Sequence, residues 1–534
     1  MEELSSRRLK FPLNQAAPKN GAFDFVDTEV YGIVAGFRDT SRDRLENGIG
    51  SPWQGKGAIV LSRVDRAIGQ RIETTVRNHH RRRLTRLGWG HIFDGHPAEW
   101  AKGGPPPRPG SYVEVLVDGA EALPAIAHAI ASARSHVHLA GWHFSPDFQL
   151  EERGGSLREL LADAAQRVDV RLLAWAGAPL PLFHPDRRDV RHTFERLTGG
   201  TRIRYGLDAR ERPMHCHHEK LVIVDGDLAF VGGIDLTTLA GDRYDTSDHP
   251  ARGSHGWHDA TALLRGPAVA DVAAHFALRW REVTGESLPQ TDSPAGAGAF
   301  DVQVVRTVPE HVYEALPAGD FTIAETYLSA LTSARRFIYL ESQFLWSPEI
   351  VKVLTRKLKT PPSDEFRLLV VLPARPNNGR EDTRGQLGVL IDADEGQNRF
   401  LACTLLQPGT KPACGVYVHA KIGIVDDRWL TIGSANLNEH SLFNDTEMNL
   451  VVVDDKLVRA VRTRLWAEHL ECDESELELP VHELVDERWR PRAEAELARI
   501  QEGSAPAHRL VRLEQVSRRS RGLLGPLNGL LVDG

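Results

Sequence analysis

The stretch that decides the fold runs from Val418 to Asn438 and reads VHAKIGIVDDRWLTIGSANLN. Residues 422–425 and 429–432 are two apolar runs of strand length, and the Asp-Asp pair between them favours a tight turn. The pattern predicts two adjacent buried strands.

Polar side chains flank these two strands. His419 and Lys421 are two residues apart, so an extended chain places them on one face. The turn at residues 433–434 can bring the Asn436 amide towards this pair. An imidazole, an ammonium and an amide that converge predict a site for an anionic oxyacid, of which phosphate is the obvious candidate.

The chain carries this pattern twice, and each position lies 201 residues before its counterpart. The paired positions are His218 and His419, Lys220 and Lys421, Asp225 and Asp426, Gly233 and Ser434, and Asp235 and Asn436. A duplication of this length indicates a two-lobed enzyme, because the repeats of solenoid proteins are far shorter.

The composition of the 534 residues is that of an ordinary globular protein, with 41% hydrophobic and 26% charged residues. The net charge of −8 provides no global field for nucleic acid, which weighs against a nuclease. No apolar run of about 20 residues exists, and residues 6–8 (SRR) lack the apolar segment of an export signal. We therefore expect a cytoplasmic protein that touches membranes only peripherally, and a monomer because both motifs lie in one chain.

Neither the cysteines nor the histidine-rich segment predicts a metal. Cys216, Cys403, Cys414 and Cys472 form no CxxC pair and are expected to be free thiols. Residues 214–218 (MHCHH) would alternate between two faces, and no second pair of zinc ligands follows. We expect no metal and no cofactor, and activity that survives chelation.

The order of elements predicts an α/β fold, because β-α-β-α-β patterns recur in both halves. We divide the chain into an N-terminal extension (1–110), a first repeat (111–290), a second repeat (300–470) and a C-terminal tail (471–534). An arginine cluster at residues 77–86 either binds anionic lipid or forms a solvated helix face paired with acids, and we favour the second. The apolar run 522–531 is expected to pack on the body of the protein rather than enter a membrane.

These residues resemble the phospholipase D superfamily, whose signature is a pair of HxKxxxxD motifs, and the likeness is closest to phosphatidylcholine-hydrolysing phospholipases D. It covers residues 111–470 and rests on the segments 141–146 (GWHFSP), 230–236 (FVGGIDL), 243–246 (RYDT), 257–259 (WHD), 341–344 (ESQF), 417–421 (YVHAK) and 433–438 (GSANLN). The resemblance implies two similar α/β lobes related by a pseudo-two-fold, with one active site at the seam. No calcium-binding lipid module precedes the repeats, so calcium dependence is not carried over.

The resemblance also implies a role for each site residue. His218 is the nucleophile and His419 the general acid and base, while Lys220 and Lys421 supply positive charge. Asn436, Ser434 and Asp235 are expected to bind the substrate phosphate, and Asp259 and Glu447 to orient the histidines. Asp225 and Asp426 complete the signature and are counted among the catalytic residues, although they lie at strand ends and are expected to brace the scaffold rather than touch substrate.

Three functions stay open on the sequence. The first is a phospholipase D that hydrolyses or transfers the head group of a glycerophospholipid. The second is a phosphatidyl-transferring synthase like cardiolipin synthase, with a nucleic-acid phosphodiesterase as a weaker variant. The third is an inactive lipid-binding scaffold. Trp142, Phe144, Phe344 and Trp346 follow corresponding strands and are expected either to contact lipid or to pack in the core.

Overall fold

The computed structural model describes residues 74–75, 77–151, 153–179, 184–212, 215–239, 246–249, 256–289, 293–374 and 380–513. The strands are β1 (Arg108–Val117), β2 (His136–Gly141), β3 (Asp169–Trp175), β4 (Arg204–Asp208), β5 (Leu221–Val224), β6 (Leu228–Gly232), β7 (Gly256–His258), β8 (Ala260–Arg265), β9 (Phe300–Val308), β10 (Asp320–Phe321), β11 (Phe337–Glu341), β12 (Arg367–Val371), β13 (Phe400–Leu406), β14 (Gly415–Val418), β15 (Ile422–Val425), β16 (Trp429–Gly433), β17 (Glu447–Val453) and β18 (Leu510–Arg512). The helices are α1 (77–86), α2 (Asp118–Ala131), α3 (Leu157–Arg167), α4 (Arg187–Thr198), α5 (Val269–Thr284), α6 (Thr322–Ser333), α7 (Pro348–Lys359), α8 (Arg380–Asp394), α9 (Glu439–Phe443), α10 (Asp455–Leu470), α11 (Val481–Leu484) and α12 (Arg490–Gln501).

The strands form two sheets with the same internal order. The first runs β4-β3-β2-β5-β6-β8-β1, and the second runs β13-β12-β11-β15-β16-β17-β9. In each sheet the first three strands are parallel, and the remaining neighbours are antiparallel. The predicted α/β class is confirmed, and the duplication is visible in the connectivity. A pseudo-two-fold axis stays a prediction.

Three hydrophobic cores separate the layers. One core contains residues from both sheets and from α5 and α10, so it lies between the sheets. A second packs α2, α3 and α4 on the first sheet, and a third packs α6, α7 and α8 on the second. Strands with such layers on both faces are continuously apolar, as β5 (LVIV) and β15 (IGIV) are.

The predicted extension and tail both contact the second repeat where they are described. Leu84, Trp89 and Ile92 pack in its outer core, and β18 pairs with β13 at the edge of its sheet. Within α1, Arg81 binds Glu349 and Arg83 binds Glu310, which agrees with the acid-paired helix. Strand β1 begins at Arg108, but the four-part division itself stays a prediction.

Three parts of the chain that are discussed above lie outside the described residues: residues 1–73, residues 243–245 of the RYDT segment, and the apolar run 522–531. Among the described helices, none is both long and apolar enough to cross a membrane. The cellular location and the oligomeric state stay predictions.

Candidate active site

Backbone pairing between the two halves brings the histidines together. Strand β7 pairs in parallel with β14, and the His419 amide donates to the His258 carbonyl over 2.7 Å. On the other side, His217 forms a bridge with Thr446, and the His218 amide donates to the Thr446 carbonyl over 2.9 Å. Each histidine is therefore joined to the segment that precedes the carboxylate of the other half.

Each imidazole contacts one of the two predicted orienting carboxylates. His218 Nδ1 lies 3.0 Å from Glu447 Oε1, and His419 Nδ1 lies 2.6 Å from Asp259 Oδ2. Each pair joins a histidine of one half to a carboxylate of the other half. The position of each carboxylate within its own repeat did not indicate this exchange. A carboxylate at Nδ1 fixes the tautomer, so Nε2 becomes the nitrogen that can react. All four side chains are buried.

The two lysines bring buried positive charge to the same place. Lys220 Nζ donates to the His218 carbonyl over 2.7 Å and lies 3.5 Å from Asp235, while Lys421 Nζ donates to the His419 carbonyl. Burial lowers the pKa of Lys421 to about 7; the charge of Lys220 adds to this effect, and nearby carboxylates oppose it. A bound anion would stabilise both ammonium groups.

A cleft of about 570 Å³ reaches both histidines. Its lining also includes Trp142, His143, Asp235, Leu239, Trp257 and Gln343. The imidazole of His143 binds Thr237, and burial lowers its pKa to about 4, so it is neutral at pH 7. The roles of His143, Trp257 and Gln343 were not predicted individually, although each lies in a segment that carried the family resemblance.

The three predicted phosphate-binding residues differ in position. Asp235 lines the cleft beside Lys220, and the buried Asn436 amide contacts the cleft residue Gln343 over 3.4 Å. Asn436 Oδ1 is buried without a hydrogen-bond partner in the described residues. Ser434 donates its hydroxyl to Glu447 instead, so we reassign it from the phosphate to the positioning of His218.

The aspartates of the two motifs do not reach the cleft. Asp225 and Asp426 lie in the turns after β5 and β15, at the end of each strand opposite the lysine. Asp225 accepts hydrogen bonds from the amides of residues 134–136, and Asp426 from those of residues 335–337. The two carboxylates brace the starts of β2 and β11, away from the cleft, so we remove them from the candidate catalytic residues.

The histidines of the segment 215–218 contact different groups, although alternation alone would place His215 and His217 on one face. His217 contacts Asp208 over 3.1 Å and Thr446 over 2.8 Å. His215 points elsewhere, with its Nδ1 2.9 Å from that of His440. His215 and His217 therefore do not share one ligand set.

The aromatic residues after β2 and β11 are buried. Trp142, Phe144, Phe344 and Trp346 have exposed fractions of 7%, 3%, 1% and 8%. Trp346 packs against His440, and Trp142 stacks on Trp175 at the cleft. The burial of these residues supports core packing, and Trp142 also lines the cleft, so lipid contact stays a prediction.

The contact at Gly233 explains why the first half has a glycine where the second half has Ser434. A Cβ at this position would lie 2.1 Å from Asp259 Oδ1, where the second half has Ser434 bound to Glu447. We expect Gly233→Ala to displace Asp259 from His419 and to lower kcat roughly 10²-fold, the cost of misplacing a catalytic group by about 1 Å. The control is Gly296→Ala, whose Cβ would meet only a carbonyl at 3.6 Å. A normal kcat in Gly233→Ala would show that Asp259 does not control His419.

The chain is similar to several known proteins. Residues 327–468 match the family model described as cardiolipin synthase, PLD-like domain. The chain is 26% identical over 465 residues to phospholipase D A of Dictyostelium discoideum, covering 68% of this chain and 36% of that protein. It is 27% identical over 352 residues to cardiolipin synthase of Geobacillus thermodenitrificans, covering 64% and 62%. The crystal structure of phosphatidylserine synthase from Haemophilus influenzae aligns with a TM-score of 0.49 at 13% identity, over 74% of this chain and 95% of that one.

The class of protein follows from these matches. The chain contains a phospholipase D-like domain, and its resemblance to the phospholipase D superfamily is confirmed. The relatives named above are a phospholipase D and a cardiolipin synthase, so the class is one of enzymes. The chain spans about a third of the Dictyostelium relative and somewhat under two thirds of the bacterial synthase.

Proposed function

We propose that the chain is a phospholipase D-type phosphodiesterase that hydrolyses or transfers the head group of glycerophospholipids. One observation carries the proposal. Two imidazoles, each held at Nδ1 by a buried carboxylate, meet at one cleft beside two buried ammonium groups. This arrangement suits double displacement at a phosphodiester, whose negative charge repels a nucleophile unless cations surround it.

The reaction proceeds in two steps, formation and breakdown of a bond between phosphorus and an imidazole. Nε2 of one imidazole attacks phosphorus, a P–N bond forms, and the P–O bond to the head-group alcohol breaks. The second imidazolium gives its proton to the departing oxygen. Water or an acceptor alcohol then loses its proton to that imidazole and attacks phosphorus, which breaks the P–N bond. Lys220 and Lys421 stabilise the charge on the phosphoryl oxygens in both steps.

The surroundings of the two carboxylates support His218 as the nucleophile. Glu447 accepts hydrogen bonds from the hydroxyls of Ser434 and Ser441, which spread its charge and favour the imidazolium of His218 less. Asp259 lies closer to His419, at 2.6 Å, and a short contact is typical of a charged pair. An imidazolium at His419 is the form that a general acid requires.

Incubation with mixed phospholipids and a primary alcohol tests the proposal. Product analysis should reveal phosphatidyl-alcohol if the intermediate is transferred, and the released head group identifies the substrate. Transfer only to a second phospholipid would favour the synthase alternative. Cleavage of oligonucleotides without any phospholipid product would contradict the lipid substrate, and absence of any turnover would favour an inactive scaffold.

The pKa of Lys421 predicts a pH dependence. The ammonium is charged below its pKa of about 7, so kcat/KM should fall as the pH rises through that value. The bound phosphate favours the ammonium, so the fall in kcat should lie at higher pH. The profile is measured in His419→Ala with a phenolic substrate, because that variant removes the titration of the acid. A kcat/KM that stays constant well above pH 7 would show that the Lys421 charge is not required.

Leu239 is the candidate for lipid contact at the cleft. Its exposed fraction is 55%, and it is the one large exposed apolar residue that lines the cleft in the described part of the chain. We expect Leu239→Asp to raise the apparent KM on vesicles and to leave hydrolysis of a short soluble phosphodiester unchanged. Leu479→Asp is the matched control, because Leu479 is 39% exposed and does not line the cleft. Equal effects of the two variants on vesicles would contradict a specific contact.

A further inference from the structure

A second cluster of histidines and carboxylates lies behind the catalytic carboxylate Asp259. Its members are Asp118, His249, His258 and Glu468, and each offers one ligand atom within 4.8 Å of the others. Asp118 and His258 are buried, with exposed fractions of 1% and 0%. Three members come from the first repeat, and Glu468 comes from α10 of the second.

The spacing of the ligand atoms fits a tetrahedral ion. Glu468 Oε1 lies 3.0 Å from His249 Nε2 and 3.4 Å from His258 Nδ1. Asp118 places one carboxylate oxygen 3.1 Å from His258 Nδ1 and the other 3.7 Å from His249 Nε2. Zinc bonds to nitrogen and oxygen of about 2.1 Å separate tetrahedral ligands by about 3.4 Å. The four measured distances bracket that value.

Two of these atoms are buried without a hydrogen bond. Asp118 Oδ2 has no hydrogen-bond partner among the described residues, and the contacts of His258 Nδ1 with Asp118 and Glu468 lack hydrogen-bond geometry. Buried polar atoms left in this way are costly, and a bound ion would satisfy both. Two imidazoles favour zinc over calcium or magnesium, which prefer oxygen ligands only.

The surroundings of His258 match those of a zinc-bound imidazole. Its Nε2 contacts Glu341 over 2.9 Å, and Glu341 also accepts from Tyr339 and contacts His469 over 3.1 Å. A metal-bound histidine usually donates its other ring N–H to such a carboxylate, which orients the ring. Glu341 lies in the ESQF segment, and its burial could not be predicted from the pattern of that segment.

We propose that Asp118, His249, His258 and Glu468 bind one structural Zn²⁺ that joins the two repeats. The ion would tie α10 to the start of α2 and to β7. Asp118 also exchanges main-chain and side-chain hydrogen bonds with Asp259, at 2.8 and 3.0 Å. The site would thus hold the carboxylate that orients His419, although it lies outside the catalytic cleft. It revises the expectation of a metal-free protein and does not depend on the proposed reaction.

Metal analysis of the untagged, full-length protein tests the proposal. After dialysis against metal-free buffer, mass spectrometry should find about one zinc per chain. Protein refolded with Co²⁺ should show the strong visible absorption of tetrahedral cobalt. His249→Ala and Glu468→Gln should each retain substoichiometric zinc and have a lower Tm, which added zinc does not restore. His215→Ala is the matched control in the separate group His215, His440 and Asp445, and it should keep its zinc.

Either of two results would overturn the proposal. Wild-type protein that contains no zinc, and takes up neither Zn²⁺ nor Co²⁺ at micromolar concentration, would assign the cluster to an ionic network of imidazolium and carboxylate groups. Loss of zinc in His215→Ala but not in His249→Ala would place the metal at the other cluster. The wild-type measurements decide the first result even if a variant does not fold.

Discussion

His218→Ala is expected to reduce turnover to the uncatalysed background and to remove any phospho-enzyme. In the proposed mechanism this imidazole provides the atom that bonds to phosphorus, and it lines the cleft with its Nδ1 held by Glu447. Turnover is measured by head-group release, and the phospho-enzyme by mass spectrometry after a quench in alkaline denaturant, which preserves the P–N bond.

His218→Asn is the control for folding. The Asn amide can donate to Glu447 as Nδ1 does, so the buried carboxylate keeps its partner and Tm should remain close to that of the wild type. The variant should nevertheless be as inactive as His218→Ala. Substantial turnover in His218→Asn would contradict the nucleophilic role.

The second large effect is expected from His419→Ala. Loss of the general acid should lower kcat roughly 10²- to 10⁴-fold with an alkyl head group, the range for proton transfer by a positioned side chain. A phenolic leaving group departs without a proton, so the loss should be much smaller with a phenolic phosphodiester. The measurement is the ratio of the loss of kcat with the alkyl substrate to the loss of kcat with the phenolic substrate.

Asp259→Asn provides the matched variant for the same step. An asparagine amide would no longer stabilise the protonated form of His419, whose Nδ1 lies 2.6 Å from Asp259. The variant should therefore show the same dependence on leaving group in weaker form. Equal losses of His419→Ala on both substrates would contradict its role as the acid. In that case the difference between the two histidines would require another explanation.

Much of the fold and half of the site could be predicted from the sequence. Buried strands such as β15 are continuous apolar runs, and the 201-residue offset locates both halves of the site. The histidines and lysines carry specific chemistry at fixed spacing, which is why they could be recognised without coordinates. The aspartates could be assigned to the scaffold because they come at the ends of strands.

The remainder depends on contacts that spacing does not encode. The crossing of Glu447 to His218 arises from pairing between segments about 230 residues apart, here at Thr446. The burial of the aromatic residues could not be predicted either, because the position of Trp346 in the sequence fits lipid contact and core packing equally well. The group around His258 was missed since its members are scattered along the chain with no metal-ligand spacing.

The most direct test of the account is to locate the covalent intermediate. His419→Ala is mixed with a phospholipid analogue that carries a phenolic head group, quenched within one turnover in alkaline denaturant, which preserves the P–N bond, and digested for mass spectrometry. We expect a phosphatidyl group on the peptide that contains His218, and none in the double variant that also lacks His218. A phosphatidyl group elsewhere in the chain, or rapid release of the phenol with no adduct at His218, would contradict it.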